Sequence, residues 1–112
     1  PKPKTTTFTC TGGASAYLTK NKKGVKIESA TLGTVVDLGI NDVNHMGAVM
    51  APAAADTIYR HLLDTNRNVD YYDLILTGDL GRCGKEILIN YMKKVYNIDI
   101  SKNYVKRNYK KY

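Results

Sequence analysis

The chain has 112 residues, with 17 Lys+Arg against 10 Asp+Glu, a net charge of +7 and no Trp. This length supports one domain with a modest core, and 43% hydrophobic residues exclude disorder along the whole chain. No apolar run approaches the ~18–20 residues that a membrane-spanning helix needs, and no signal peptide is visible.

The basic excess sits at the two ends: PKPK opens the chain, KNKKG follows, and SKNYVKRNYKKY closes it. Between Ile27 and Leu80, Arg60 and Arg67 stand against Glu28, Asp37, Asp42, Asp56, Asp64, Asp70, Asp73 and Asp79, so the middle is net acidic. The basic pI therefore describes tails and a turn rather than one continuous binding face. Cys10 and Cys83 lie far apart with no CxxC spacing, a pattern expected of thiols in a reducing compartment. The chain starts at Pro1 rather than Met and reads as a processed or excised piece.

In chain order, TTTFTC (Thr5–Cys10), ASAYLT (Ala14–Thr19) and the start of VKIESATLGTV (Val25–Val35) carry a strand pattern. They predict an antiparallel hairpin that turns at KNKKG, with a bulge at Gly12-Gly13. Asp37–Gly47 reads as a loop. A helix is then predicted from Ala51, with Pro52 in its first turn and Ala51, Ala54, Ala55, Ile58, Leu62 and Leu63 on one side. LILTGD reads as a short strand covered on both faces. GKEILINYMKKVYN reads as a second amphipathic helix, with Ile87, Leu88, Tyr91, Met92 and Val95 inward. Helix, strand, glycine loop and helix in that order predict an α/β layer fold, and Ser101–Tyr112 reads as a loose basic tail.

The stretch DLILTGDLGRCGKE, Asp73–Glu86, has the outline of a phosphate-binding loop. A P-loop needs four residues between its glycines and a Ser or Thr after Gly-Lys. Here five residues separate Gly78 from Gly84, Glu86 replaces the hydroxyl, and Asp79 places a negative charge inside the would-be anion cradle. The spacing of Gly78, Gly81 and Gly84 fails the dinucleotide fingerprint as well. The plainer reading is a strand-to-helix turn with Asp79 as a cap, although ligands of open α/β sheets do bind at such carboxyl ends. His45, in a loop, and His61, expected at a solvated helix edge, have no partners at metal-ligand spacing. Cys83, at a helix start, has no base within local reach.

The segment from Ile27 to Leu80 closely resembles the stage V sporulation protein AD (SpoVAD) family of spore-forming Firmicutes. The resemblance is carried by MGAVMAPAAADTI (Met46–Ile58), YDLILTGDLG (Tyr72–Gly81) and, more weakly, TFTCTGGASAYLT (Thr7–Thr19). It covers about residues 3 to 101 and a middle portion of the family protein. It implies an α/β class and a partial thiolase-like fold. Residues 1–36 would supply the last two strands of the first half and 37–50 a connecting loop. Residues 51–100 would open the second half with a helix, strand and helix, and 101–112 would be the basic tail. After Ser101 the sequence departs from the family's D-C-G continuation, which predicts a truncated or frame-disrupted end.

The resemblance also implies a function. The family binds dipicolinic acid (pyridine-2,6-dicarboxylate) for uptake into the developing spore, with other SpoVA proteins, as a peripheral protein at the spore inner membrane. Thr77, Gly78 and Asp79 would form the pocket floor, with Met50 nearby. A dianion does not welcome Asp79, which would orient a backbone, hold a cation such as calcium, or face away. Related condensing enzymes follow the equivalent strand with a catalytic His, where this chain has Gly78-Asp79. Their nucleophilic Cys region lies upstream, and neither Cys10 nor Cys83 matches it. The reading is therefore non-catalytic, with no cofactor, no resident metal and no nucleic-acid partner, and with a homodimer left open. Two alternatives stand beside it: an acyltransferase fragment of the thiolase superfamily, and a basic nucleic-acid-binding module built on Ser101–Tyr112.

Overall fold

Two helices that run side by side in the same direction organise the chain. The computed structural model describes residues 11–42 and 45–104. Helix α1 spans Met46–Thr65 and helix α2 spans Gly81–Tyr96, with a 3-10 turn at Val69–Tyr71 between them. Their shared direction follows from paired contacts twelve residues apart on each helix: Gly47 against Gly84 near the starts, and Tyr59 stacked on Tyr96 with ring centroids 4.2 Å apart near the ends.

Helix α1 begins five residues before the Ala51 predicted from sequence, so Pro52 lies inside it rather than in its first turn. An interior proline removes one hydrogen bond and costs ~3 kcal/mol. Packing outweighs that cost, because the added turn carries Gly47 onto the α2 backbone: a methyl built on Gly47 would fall 2.2 Å from the Leu80 carbonyl oxygen. The helix ends on Asn66, which is left-handed at φ 52°. The Asn66 and Arg67 N–H groups donate to the Leu63 and Leu62 carbonyls at 3.1 and 3.0 Å, a Schellman arrangement. Helix α2 ends on Asn97, also left-handed at φ 55°, with the Ile98 N–H on the Met92 carbonyl.

The core is Ala51, Ala55, Leu80, Leu88, Met92, Ile100 and Tyr104. Small alanines on α1 let the longer Leu88 and Met92 of α2 reach the seam, and both are fully buried. Two residues assigned inward from sequence point outward instead: Leu63 and Val95 are more than half exposed, because the seam is narrow and they fall on its flank. Ile100 and Tyr104 lie beyond α2 and close the core from below. The stretch expected to be a loose tail from Ser101 is therefore packed as far as Tyr104, and the rest of it lies outside the described residues.

The expected strand at LILTGD reduces to one parallel bridge between Ile75 and Tyr104, with the Ile75 N–H donating to the Asn103 carbonyl at 2.8 Å. It is covered on one face only. Ile75 is half-buried against the core while its neighbours Leu74 and Leu76 are mostly exposed.

The predicted hairpin is not seen. Residues 11–42 form no helix or strand, and Tyr17, Val25, Ile27, Leu32 and Val35 are exposed. The Thr5–Cys10 strand lies outside the described residues. Gly24 does hold a positive φ of 95°, as the KNKKG turn requires, but no sheet neighbour faces the two arms. Among the described residues, no helix is long and apolar enough to cross a membrane.

Candidate functional site

The loop from Thr77 to Leu80 is held at both ends by buried groups. Leu80 is in the core and precedes α2. Gly84, one turn later, is buried so closely that a methyl on it would lie 2.8 Å from the Gly47 Cα. At the other end, the Thr77 hydroxyl hydrogen-bonds the Tyr104 hydroxyl and donates to the Gly78 carbonyl at 2.9 Å. Tyr104 is itself fixed by the Ile75 bridge and by its N–H on the Ile100 carbonyl at 2.9 Å.

Three of the four residues predicted for the site come together. A methyl built on Gly78 would sit 3.5 Å from the Met50 methyl carbon, so Met50 of α1 reaches across to the loop. Thr77 adjoins Gly78 and faces Tyr104. The fourth, Asp79, is exposed, and its Oδ1 accepts the Gly81 N–H at 3.1 Å. Gly81 has a φ of 66°, and the Asp79 carboxylate pins that left-handed turn as α2 begins. This is a cap-like role, although the N-cap position itself is Leu80, which has no side-chain hydrogen bond to the helix. The result is a small patch of hydroxyl, exposed backbone and thioether with the Asp79 charge drawn to one side.

Two participants were missed in the sequence. Tyr104 was assigned to the tail, although its spacing of four residues from Ile100 is an apolar helical-turn signal. Lys85 stands over the Tyr104 ring at 5.5 Å, which places a cation one turn into α2 beside the patch. Of the other candidates, Cys83 is exposed and forms no disulfide. His45 lies 3.6 Å from Asp42 on the surface. His61 is not at a solvated edge: it is half-buried, with Nδ1 2.8 Å from the Thr31 hydroxyl and Nε2 on the Tyr72 hydroxyl. Among the described residues, no three His, Cys, Asp or Glu side chains converge as a metal site would require.

The family model for stage V sporulation protein AD (SpoVAD) matches residues 1–110. The chain belongs to the SpoVAD family. A curated member, stage V sporulation protein AD of Bacillus subtilis (strain 168), is 50% identical over 93 residues, covering 83% of this chain and 28% of the relative. The chain thus spans little more than a quarter of that relative's length. The family match continues past Ser101 to residue 110, so the departure expected after Ser101 is not borne out.

Proposed function

We propose that this chain is the part of a stage V sporulation protein that presents a dipicolinate-contacting loop, Thr77–Gly78, backed by Met50, and that it binds without turnover. The observation that carries this reading is the convergence of Thr77, Gly78 and Met50 on one open patch. A flat pyridine ring fits against a glycine and a thioether. Its carboxylates suit a site with a cation such as Lys85, which stands over the Tyr104 ring, nearby. Asp79 acts indirectly, by setting the backbone turn at Gly81.

Binding without chemistry is supported by the residues at the loop. Acyl transfer needs an activated nucleophile, a base and an oxyanion hole, and Gly78 and Asp79 stand where a condensing enzyme has its histidine. The physiological setting implied is uptake of dipicolinate into the developing spore, with calcium travelling as the ligand's counter-ion. Other SpoVA proteins would be partners at the spore inner membrane.

Incubating the intact family protein with acyl-CoA, followed by mass spectrometry, tests the non-catalytic half. No acyl adduct and no hydrolysis are expected, and a stoichiometric cysteine adduct would move the protein to the acyltransferases. Equilibrium dialysis against dipicolinate, with and without calcium, tests the other half; saturable binding is expected and none would end the reading.

A further inference from the structure

A chain of hydrogen bonds outside the dipicolinate loop links three separate segments. Arg67 Nη1 donates to the Tyr72 hydroxyl oxygen at 2.9 Å. The Tyr72 hydroxyl meets His61 Nε2, and His61 Nδ1 meets the Thr31 hydroxyl at 2.8 Å. Arg67 also reaches Ser29 at 3.4 Å and Glu28 at 3.6 Å. The Glu28–Thr34 stretch thereby lies as a strap along α1, fixed further by Thr34 on Asp56 at 3.1 Å. Between strap, α1 and the Tyr72 turn is a cavity of roughly 290 Å³, lined mainly by apolar side chains including Ile58, Leu62, Leu74 and Ile75, with His61 and Tyr72 forming its polar wall.

The protons in this chain have one fully satisfied order. An arginine only donates, so the Tyr72 oxygen accepts from Arg67 and its own proton is left to donate. His61 Nε2 is the acceptor that faces it. The ring's single proton is then on Nδ1, donated to Thr31. In the opposite order the Tyr72 proton has no acceptor within the chain.

We propose that His61 is a pH-sensitive latch: the neutral ring closes the cavity wall between α1 and the Tyr72 turn, and protonation opens that wall while Thr31 stays bound. An imidazolium has no acceptor nitrogen, so the Tyr72 proton loses its partner. Nε2–H then points at an oxygen already held by a guanidinium, placing two cations on one atom. Arg67 remains charged throughout, because its hydrogen bond to Tyr72 raises its pKa further, with Tyr71 and Glu28 adding in the same direction. The other charges around the ring do not relieve the clash. Glu28 is engaged by Arg67 and by the Tyr71 hydroxyl at 3.0 Å, and on α1 Asp56 pairs at 3.0 Å with Arg60, the residue before His61. Thr65 donates to the His61 carbonyl at 2.6 Å, so the ring's anchorage on α1 does not change.

Nuclear Overhauser contacts in the full chain, followed during acidification from roughly pH 8 to pH 5, test this. The His61–Tyr72 ring contacts should disappear once the His61 ring carries both protons, while His61–Thr31 contacts and the α1–α2 core contacts persist. In His61→Gln, the Tyr72 resonances should not change over the same range. Loss of the Thr31 contact instead of the Tyr72 contact would overturn the proton order. Persistence of both through the titration, or their loss only together with the core contacts, would overturn the latch.

Discussion

Both helices end on asparagine in the left-handed region, Asn66 and Asn97. A β-branched residue there meets its own carbonyl, at roughly 1–2 kcal/mol, whereas glycine adopts the same angles freely. Asn97→Val should therefore lower unfolding free energy by about 1–2 kcal/mol and Asn97→Gly by only a few tenths, read from urea midpoints. Asp99, just beyond, accepts the Ser101 N–H at 2.9 Å. The Ser101 hydroxyl above all, then this N–H, with Lys93 and Lys102 adding, hold its carboxyl below the usual carboxylate range. Because the folded value is the lower one, this carboxylate supports the turn above the unfolded pKa and loses that support as pH falls through the folded value. The Asp99 side-chain carboxyl carbon, followed by NMR during acidification, should titrate below an unstructured aspartate, and the Ser101 amide should move with it. Titration at the unstructured value would remove this support.

At the scale of the helices, the Gly47–Gly84 contact and the Leu88–Met92 seam decide how α1 and α2 meet. A methyl on Gly84 would lie 2.8 Å from the Gly47 Cα and 2.9 Å from the Leu80 Cβ. Gly84→Ala should thus destabilise the pair by about 1–3 kcal/mol, seen as a lower thermal midpoint. Met92 is fully buried, and Met92→Ala should cost about 2–5 kcal/mol through lost transfer energy and the cavity left behind. Much of this was legible: the apolar period of Ile87–Met92 marked α2, and the alanine run marked the α1 seam. The start of α1 was not, because Pro52 argues locally for a first-turn position while the Gly47–Leu80 contact that rewards a longer helix is thirty-three positions away in sequence. The strands were misjudged for a related reason. β-branched alternation at Val25–Val35 expresses a fit to a pleated surface, and residues 11–42 meet no such surface here. The loop was partly legible: spacing and Asp79 ruled out a phosphate cradle, but only the fold shows Asp79 turned onto Gly81 and Tyr104 brought to Thr77.

For the molecule as a whole, the described residues form two helices, one β-bridge and a strap at Glu28–Thr34, in a chain that covers 28% of its Bacillus subtilis relative. Family membership rests on that relative and on the match over residues 1–110, and the proposal that the Thr77–Gly78 loop contacts dipicolinate rests on the approach of Met50 to Gly78. The direct test is calorimetric titration of dipicolinate into the intact family protein, comparing wild type with Gly78→Val and Asp79→Ala. Gly78 is not among the positive-φ glycines, so a side chain there meets no left-handed strain, and its Cβ would lie 3.5 Å from the Met50 methyl carbon. The account predicts at least a tenfold loss of affinity for Gly78→Val, about 1.4 kcal/mol, and a smaller loss for Asp79→Ala with a less stable α2 start. Wild-type affinity in Gly78→Val, with the fold intact by circular dichroism, would contradict it.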